Sequence, residues 1–245
     1  IEKLTAIFAP DELDDIDTLP EINYPAYSST NFLSDVYMTR HDYDTLVDVL
    51  KMKKNIILQG APGVGKTFTA KRLAYSIIGS KNPERVQMIQ FHQSYSYEDF
   101  IEGYRPTENG FTIKKGSFYK FCKLAEEDDE NDYFFIIDEI NRGEISKIFG
   151  ELFFSLEPGY RGEAGAVSTQ YSNLYDEIDE KFYIPENVYI IGTMNDIDRS
   201  VDSFDFAMRR RFRFIEITPN DCESMLDSLS PEIKKDALNR MNALN

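Results

Sequence analysis

A glycine-rich segment at residues 60–67 carries the clearest chemical signal in the sequence. It reads GAPGVGKT and fits the phosphate-binding pattern G-x-x-x-x-G-K-[ST], between a short apolar run and a helical pattern. Glycines let backbone N–H groups turn toward phosphate oxygens, Lys66 can reach the β- and γ-phosphates, and the Thr67 hydroxyl can bind Mg²⁺. The segment therefore predicts a nucleoside triphosphate site.

A glycine turn without a ligand is the alternative interpretation of this segment. It is disfavoured because a lysine at a helix N-terminus opposes the helix dipole unless an anion is present. We expect nucleotide contacts from Gly60, Ala61, Pro62, Gly63, Val64, Gly65, Lys66, Thr67 and Phe68.

Two carboxylates follow the apolar run FFII at residues 134–137. Open α/β sheets bind ligands at the carboxyl ends of buried strands, so this pattern is typical of a Walker B element. Asp138 would then hold Mg²⁺ through water, and Glu139 would orient and polarise the attacking water as a general base. A surface ion pair is the alternative, which the phosphate-binding segment upstream disfavours.

A third polar side chain, Asn195, ends the run NVYIIGTM. An amide at this position can hydrogen-bond a γ-phosphate or the attacking water without a change of protonation state. Asp198 and Arg199 follow in the same loop, where an ion pair could fix the loop's shape. We include Asn195 and Asp198 among the candidate catalytic residues.

Three arginines at residues 209–211 precede the apolar run FRFIEIT. As a nucleic-acid patch this cluster is short and surrounded by acidic residues. A guanidinium can instead stabilise the charge on a transferring phosphoryl group in a neighbouring subunit. We expect Arg210 and Arg211 to act across such an interface.

The elements that must position these residues alternate between helices and strands. Helical patterns cover DYDTLVDVLKMKK, TFTAKRLAYSII, SFYKFCKLAEE and ISKIFGELFFSLE, and strand patterns cover NIILQ, VQMIQF, YFFIID, NVYIIGT and FRFIEIT. The pair Asn109-Gly110 predicts a hairpin turn between GYRPTE and FTIKK. The alternation predicts an α/β fold with a parallel sheet flanked by helices on both faces.

These patterns divide the chain into three parts. Residues 1–31 mix prolines and acids without sustained periodicity, which indicates a linker or the remnant of an upstream domain. Residues 32–218 hold the α/β nucleotide-binding domain, and residues 219–245 resemble the start of a truncated C-terminal helical lid.

Composition narrows the functional classes. The net charge is −16, with 43 acidic and 27 basic residues, which counts against nucleic acid as the main direct ligand. No run is apolar enough to cross a membrane and no signal peptide begins the chain, so we expect a soluble, cytoplasmic protein. The two cysteines, Cys122 and Cys222, predict buried free thiols rather than a disulfide or zinc site.

Four segments together resemble the McrB family of AAA+ GTPases over about residues 32–218. They are FHQSYSYEDFIEGYRP, DEINRG, GTMNDIDRS and AMRRRF. MNDID is similar to that family's MNxxD pattern, and the guanine-reading motif N-K-x-D of small GTPases is absent from the sequence. The resemblance implies an AAA+ P-loop fold, GTP with Mg²⁺ as cofactors, ring oligomers of hexameric size, and a McrC-like nuclease partner.

The same resemblance implies a GTP-driven motor that powers DNA translocation and cleavage in a McrBC-like restriction system, with DNA contacted indirectly. Two alternatives stay open. An ATP-dependent, MoxR-like remodeller would use the same catalytic parts, and nucleotide preference separates it from a GTPase. A nucleotide-dependent assembly scaffold would not need Glu139 and the arginines. Asp35 is a candidate for reading guanine, because a carboxylate pairs with guanine N1–H and N2–H₂.

Overall fold

The computed structural model of the protein describes residues 23–107, 110–174, 181–195, 206–218 and 225–244. The strands are β1 (Asn55–Gly60), β2 (Val86–Gln90), β3 (Glu102–Thr107), β4 (Gly110–Lys115), β5 (Tyr133–Asp138), β6 (Val188–Asn195) and β7 (Arg213–Glu216). The helices are α1 (Ser29–Val36), α2 (Arg40–Lys53), α3 (Lys66–Ile78), α4 (Tyr97–Phe100), α5 (Ser117–Glu127), α6 (Ile145–Phe149), α7 (Phe206–Arg211) and α8 (Pro231–Leu244).

Five of the strands form one parallel sheet in the order β2-β5-β6-β1-β7, and β3 and β4 form a separate antiparallel pair. Strands β5 and β6 are consecutive in the chain and adjacent in this sheet, whereas β1 lies between β6 and β7. Parallel neighbours need a crossover connection between them, which is usually a helix. The predicted α/β fold with a helix-flanked parallel sheet is confirmed.

Strand β5, which lies between β2 and β6, illustrates why both faces of the sheet are buried. Phe135 and Ile137 pack into an apolar cluster with residues of α4, α5 and α6. Phe134 and Ile136 pack into a second cluster with residues of α1, α2 and α3. Successive side chains of a strand point to opposite faces, so a strand covered on both sides is apolar throughout.

The segment before α1 belongs to the fold. The side chain of Tyr27 is buried, and its hydroxyl donates to Asp35 at 2.8 Å. The backbone N–H of Tyr27 donates to the Gly79 carbonyl at 2.9 Å. Ser28 caps α1 through a reciprocal pair of hydrogen bonds with Asn31. The prediction that residues up to 31 form a linker or the remnant of an upstream domain is therefore wrong for residues 23–31, because Tyr27 is buried in this domain. Residues 1–22 lie outside the described residues.

The predicted long helix over ISKIFGELFFSLE is divided. Helix α6 ends at Phe149, and a 3-10 helix continues over Gly150–Leu156. Gly150 has a φ of +52°, and a Cβ at this position would meet the Tyr97 ring. Glycine therefore permits both the positive φ and the close ring contact, and the regular helix stops there. The prediction of one helix is wrong at this point.

The other predicted helices and strands are present, α5 and β5 with the predicted ends and the rest with shifted ends. The last sheet strand, β7, stops at Glu216 rather than Thr218. The hairpin is present as β3 and β4, although Asn109 of its predicted turn lies outside the described residues. Helix α8 lies in the described part of the predicted lid, residues 225–244, and its assignment to a lid stays a prediction.

Two expectations about composition can be compared with the described residues. Cys122 is a buried free cysteine, and burial raises the pKa of its thiol, whereas Cys222 lies outside the described part. In that same part, no cluster of three or more His, Cys, Asp or Glu side chains could hold a metal ion. None of the helices described is long and apolar enough to cross a membrane.

Candidate active site

The glycine-rich segment turns the chain from the end of β1 into α3. Gly63 and Gly65 have φ values of +88° and +84°, a left-handed conformation that favours glycine. Gly65 is the N-cap, so α3 begins at Lys66. The start of a helix supplies unpaired backbone N–H groups and partial positive charge, and both suit a phosphate group.

A cavity of about 450 Å³ lies where β1, β5 and β6 end. Parallel pairing places these ends at one edge of the sheet, and Gly60 is directly opposite Asn195. The cavity is lined by Pro62, Gly63, Gly65, Lys66, Thr67, Phe68, Asp138, Glu139, Thr193, Met194 and Asn195. Most of the predicted site residues therefore surround one cavity.

Lys66 connects the glycine-rich segment to the end of β6. Its side chain is largely buried, and its ammonium donates to the carbonyls of Gly60 at 2.9 Å and Ala61 at 2.7 Å. A third hydrogen bond runs to Asn195 Oδ1 at 2.9 Å. These acceptors hold the cation at the cavity, where a phosphate oxygen could replace them with a charge-assisted bond.

Asp138 accepts hydrogen bonds from two hydroxyl groups. Thr67 Oγ1 and Thr193 Oγ1 lie 2.6 and 2.5 Å from Asp138 Oδ1. A carboxylate beside a hydroxyl provides the hard oxygen donors that Mg²⁺ prefers, so Thr67 and Asp138 fit this ion. Sequence reasoning missed Thr193, although side chains two residues apart on a strand share a face, and Asn195 was already a candidate.

Glu139 is held in an unusual conformation directly after β5. Its φ of +52° and ψ of +46° are left-handed, and such strain in a non-glycine residue is often found at functional sites. Its backbone N–H donates to Thr193 Oγ1 at 3.3 Å, and its carboxylate accepts from Asn195 Nδ2 at 3.4 Å. The carboxylate also forms an ion pair with Arg142. Arg142 was missed, although its i,i+3 spacing from Glu139 is an ion-pair signal.

The structure does not bring Arg210 and Arg211 to this cavity. Both lie at the end of α7, and the next strand pairs Arg213 with Ile56 near the start of β1. The cavity adjoins the other end of β1, so the length of this six-residue strand, about 16 Å, separates the two places. Within one chain, these arginines therefore lie near the start of β1, whereas the cavity lies at its end. Asp198 and Arg199 lie outside the described residues.

Comparison with known families agrees with this arrangement. The AAA domain of the dynein-related subfamily matches residues 55–212, which run from the start of β1 to the end of the arginine cluster. The chain belongs to this AAA domain family.

Two relatives of this AAA domain come from restriction systems. The type IV methyl-directed restriction enzyme EcoKMcrB subunit of Escherichia coli K12 is 50% identical over 226 residues, 90% of this chain and 49% of the relative. The type II restriction enzyme BsuMI component YdiS of Bacillus subtilis 168 is 28% identical over 193 residues, 66% of this chain and 56% of the relative. The resemblance to the McrB family is therefore confirmed, and the chain spans about half the length of each relative.

A second cavity of the AAA domain adjoins the glycine-rich segment. It also has a volume of about 450 Å³ and is lined by Asp35, Val36, Tyr37, Pro62, Gly63, Val64, Gly65, Phe68, Thr69 and Met225. The Asp35 carboxylate accepts hydrogen bonds from Tyr27 at 2.8 Å and Arg72 at 3.1 Å, which together lower its pKa. Asp35 is thus an ionised acceptor beside the phosphate-binding segment.

Proposed function

We propose that this AAA domain binds and hydrolyses GTP as the motor domain of a McrBC-like restriction system. The observation that carries the proposal is the convergence of Lys66, Asp138, Glu139 and Asn195 on one cavity. The identity of 50% to a restriction enzyme subunit supports the choice of system.

The proposed roles follow from the contacts around the cavity. Lys66 and the backbone amides that follow Gly65 bind the phosphates, because they are donors at a helix N-terminus. Asn195 already forms hydrogen bonds with Lys66 and Glu139, and it orients the attacking water. Glu139 accepts a proton from that water. Thr67 and Asp138 would hold Mg²⁺, which neutralises phosphate charge when bound.

Guanine is the proposed base because of the chemistry of the second cavity. Asp35 offers a carboxylate that accepts hydrogen bonds, and guanine N1–H and N2–H₂ are donors, whereas adenine presents an acceptor at N1. A lowered pKa keeps this carboxylate ionised at neutral pH. These features favour GTP over ATP.

Assembly and partners are proposed from the relatives and from the position of the arginines. Arg210 lies far from its own cavity, which supports oligomers in which subunits complete one another's sites. We propose hexameric rings from the resemblance to the McrB family. A McrC-like nuclease subunit is the proposed partner, with DNA contacted through other parts of the system. A cytoplasmic location stays a prediction from the sequence.

Nucleotide binding and turnover test the proposed function. We expect GTP to bind at least about tenfold more tightly than ATP, a difference of roughly 1.4 kcal/mol. Glu139→Gln should bind GTP normally and barely hydrolyse it, because the amide cannot accept the proton from water. Calorimetry gives the affinities and phosphate release gives the turnover.

A matched control for this experiment is Glu144→Gln. Glu144 is a nearby glutamate in an exposed ion pair with Lys147, outside the cavity lining, so its variant should keep full turnover. Equal affinities for GTP and ATP would favour an ATP-dependent, MoxR-like remodeller. Turnover by Glu139→Gln close to that of the unmodified protein would remove Glu139 from the role of base.

A further inference from the structure

The two arginines at the end of α7 share one carboxylate on a different segment. Glu157 Oε2 lies 2.9 Å from Arg210 Nη2, and Glu157 Oε1 lies 3.1 Å from Arg211 Nη2. Glu157 directly follows the 3-10 helix Gly150–Leu156 and precedes Pro158, which restricts the backbone there. One largely buried acid therefore holds both guanidinium groups from a segment distant in the sequence.

Arg211 is anchored inside the fold. Its side chain is 13% exposed, its Nε donates to the Phe153 carbonyl at 2.7 Å, and its Nη1 donates to the Ala207 carbonyl at 3.0 Å. Its own carbonyl accepts from Asn55 Nδ2 at 3.0 Å. With its donors committed to these groups, Arg211 fixes the end of α7 and is not available to a neighbouring subunit.

Arg210, in contrast to Arg211, is exposed to solvent. Its side chain is 71% exposed, while that of Glu157 is 16% exposed. The pair therefore presents one guanidinium to solvent, and a carboxylate that also binds Arg211 holds one of its terminal nitrogens, Nη2. Such preorganisation reduces the conformational entropy that a long side chain loses when it binds phosphate.

We infer that Glu157 is a positioning residue, which holds the Arg210 guanidinium for the active site of the adjacent subunit, with Arg211 as its anchor. This inference rests on the proposed function, since it assumes an arginine supplied across an interface. It assigns Arg210 as the donated arginine and Arg211 as structural. Glu157 itself contacts no substrate.

Directional mixing of variants in the full chain tests the role of Glu157. Glu157→Gln keeps the shape of the side chain and removes its charge, so GTP hydrolysis by this variant alone should fall roughly tenfold through loss of a charge-assisted contact. Its own cavity stays intact. Mixed in equal amounts with Glu139→Gln, whose arginines are intact, it should regain activity at about a quarter of the sites under random ring assembly.

The control mixture pairs Arg210→Ala with Glu139→Gln and tests the donation across the interface by itself. Asp44→Asn breaks an exposed pair with Arg40, and because neither residue lines either cavity, this variant should keep full activity alone. Recovery in the control mixture without recovery in the Glu157→Gln mixture means that Glu157 serves folding alone, and it overturns the inference. Full activity of Glu157→Gln alone overturns it too.

Failure of the control mixture has a different meaning. If both mixtures form mixed rings by light scattering and both stay inactive, the arginines do not act across the interface, and the inference fails together with that part of the proposed function. Thermal melting of Glu157→Gln adds a separate readout. A folding defect would lower activity in every mixture, whereas a positioning defect leaves the variant able to accept an arginine from its neighbour.

Discussion

At the active site, single residues are tied to one another before any ligand binds. Lys66 bonds Asn195, Asn195 bonds Glu139, and Glu139 pairs with Arg142. A substrate phosphate would have to replace part of this network, so each substitution affects more than one contact. Effects of substitutions within such a network are not additive.

Replacing Lys66 by alanine should weaken GTP binding at least about tenfold, because hydrogen bonds to charged groups contribute about 1.5–3 kcal/mol. Calorimetry with GTP measures the loss. Lys71→Ala removes an exposed lysine from the same helix and should leave the affinity unchanged. If Lys66→Ala bound GTP as tightly as Lys71→Ala does, the assignment of the phosphate site would be lost.

The sequence predicted most of the residues that line this cavity, because their spacing places them at strand ends or at the helix start that follows one. Asp138 and Asn195 each end a strand, and Lys66 begins the helix that follows β1. Parallel pairing brings the ends of these three strands together. The sequence could not predict that Asn195 contacts both Lys66 and Glu139, because that depends on side-chain conformations. Nor could spacing separate Arg210 from Arg211, since the difference comes from Glu157 on another segment.

Among the elements, prediction was best where one periodicity dominates. Helix α5 and strand β5 have the predicted ends, because their apolar residues follow a helical spacing and an unbroken run. Prediction from the sequence was poorest where a contact with a distant residue decides the local conformation. The Tyr97 ring against Gly150 ends α6, and the Gly79 carbonyl fixes the segment before α1.

The docking of this N-terminal segment can be measured through Tyr27. Tyr27→Ala should lower the free energy of unfolding by about 3 kcal/mol or more, as expected for removal of a buried aromatic ring. Tyr27→Phe keeps the ring and loses the hydroxyl bond to Asp35, so it should cost only about 1 kcal/mol. Urea denaturation compares the two. Equal stability of Tyr27→Ala and the unmodified protein would mean that residues 23–31 do not contribute to the fold.

For the whole molecule, charge dominates the expected behaviour toward polyanions. With a net charge of −16, the chain should bind duplex DNA weakly, and the residual binding should vanish as salt rises to physiological levels. Fluorescence anisotropy with a labelled duplex, recorded over a salt series, measures this. Tight binding that persists at physiological salt would contradict the expectation and would point to a basic surface that the overall charge conceals.

The cavity and the arginines lie at the two ends of β1, so the domain has two different faces. In the proposed assembly, the site at one end of β1 would receive an arginine, and Arg210 at the other end would be donated to a neighbour. A two-fold symmetric dimer buries the same patch on both partners, so it cannot readily join these two ends. In the proposed assembly, the subunits would instead contact one another head to tail. An open chain of them would leave one site without an arginine and one arginine without a site, and only a closed ring puts every copy to use.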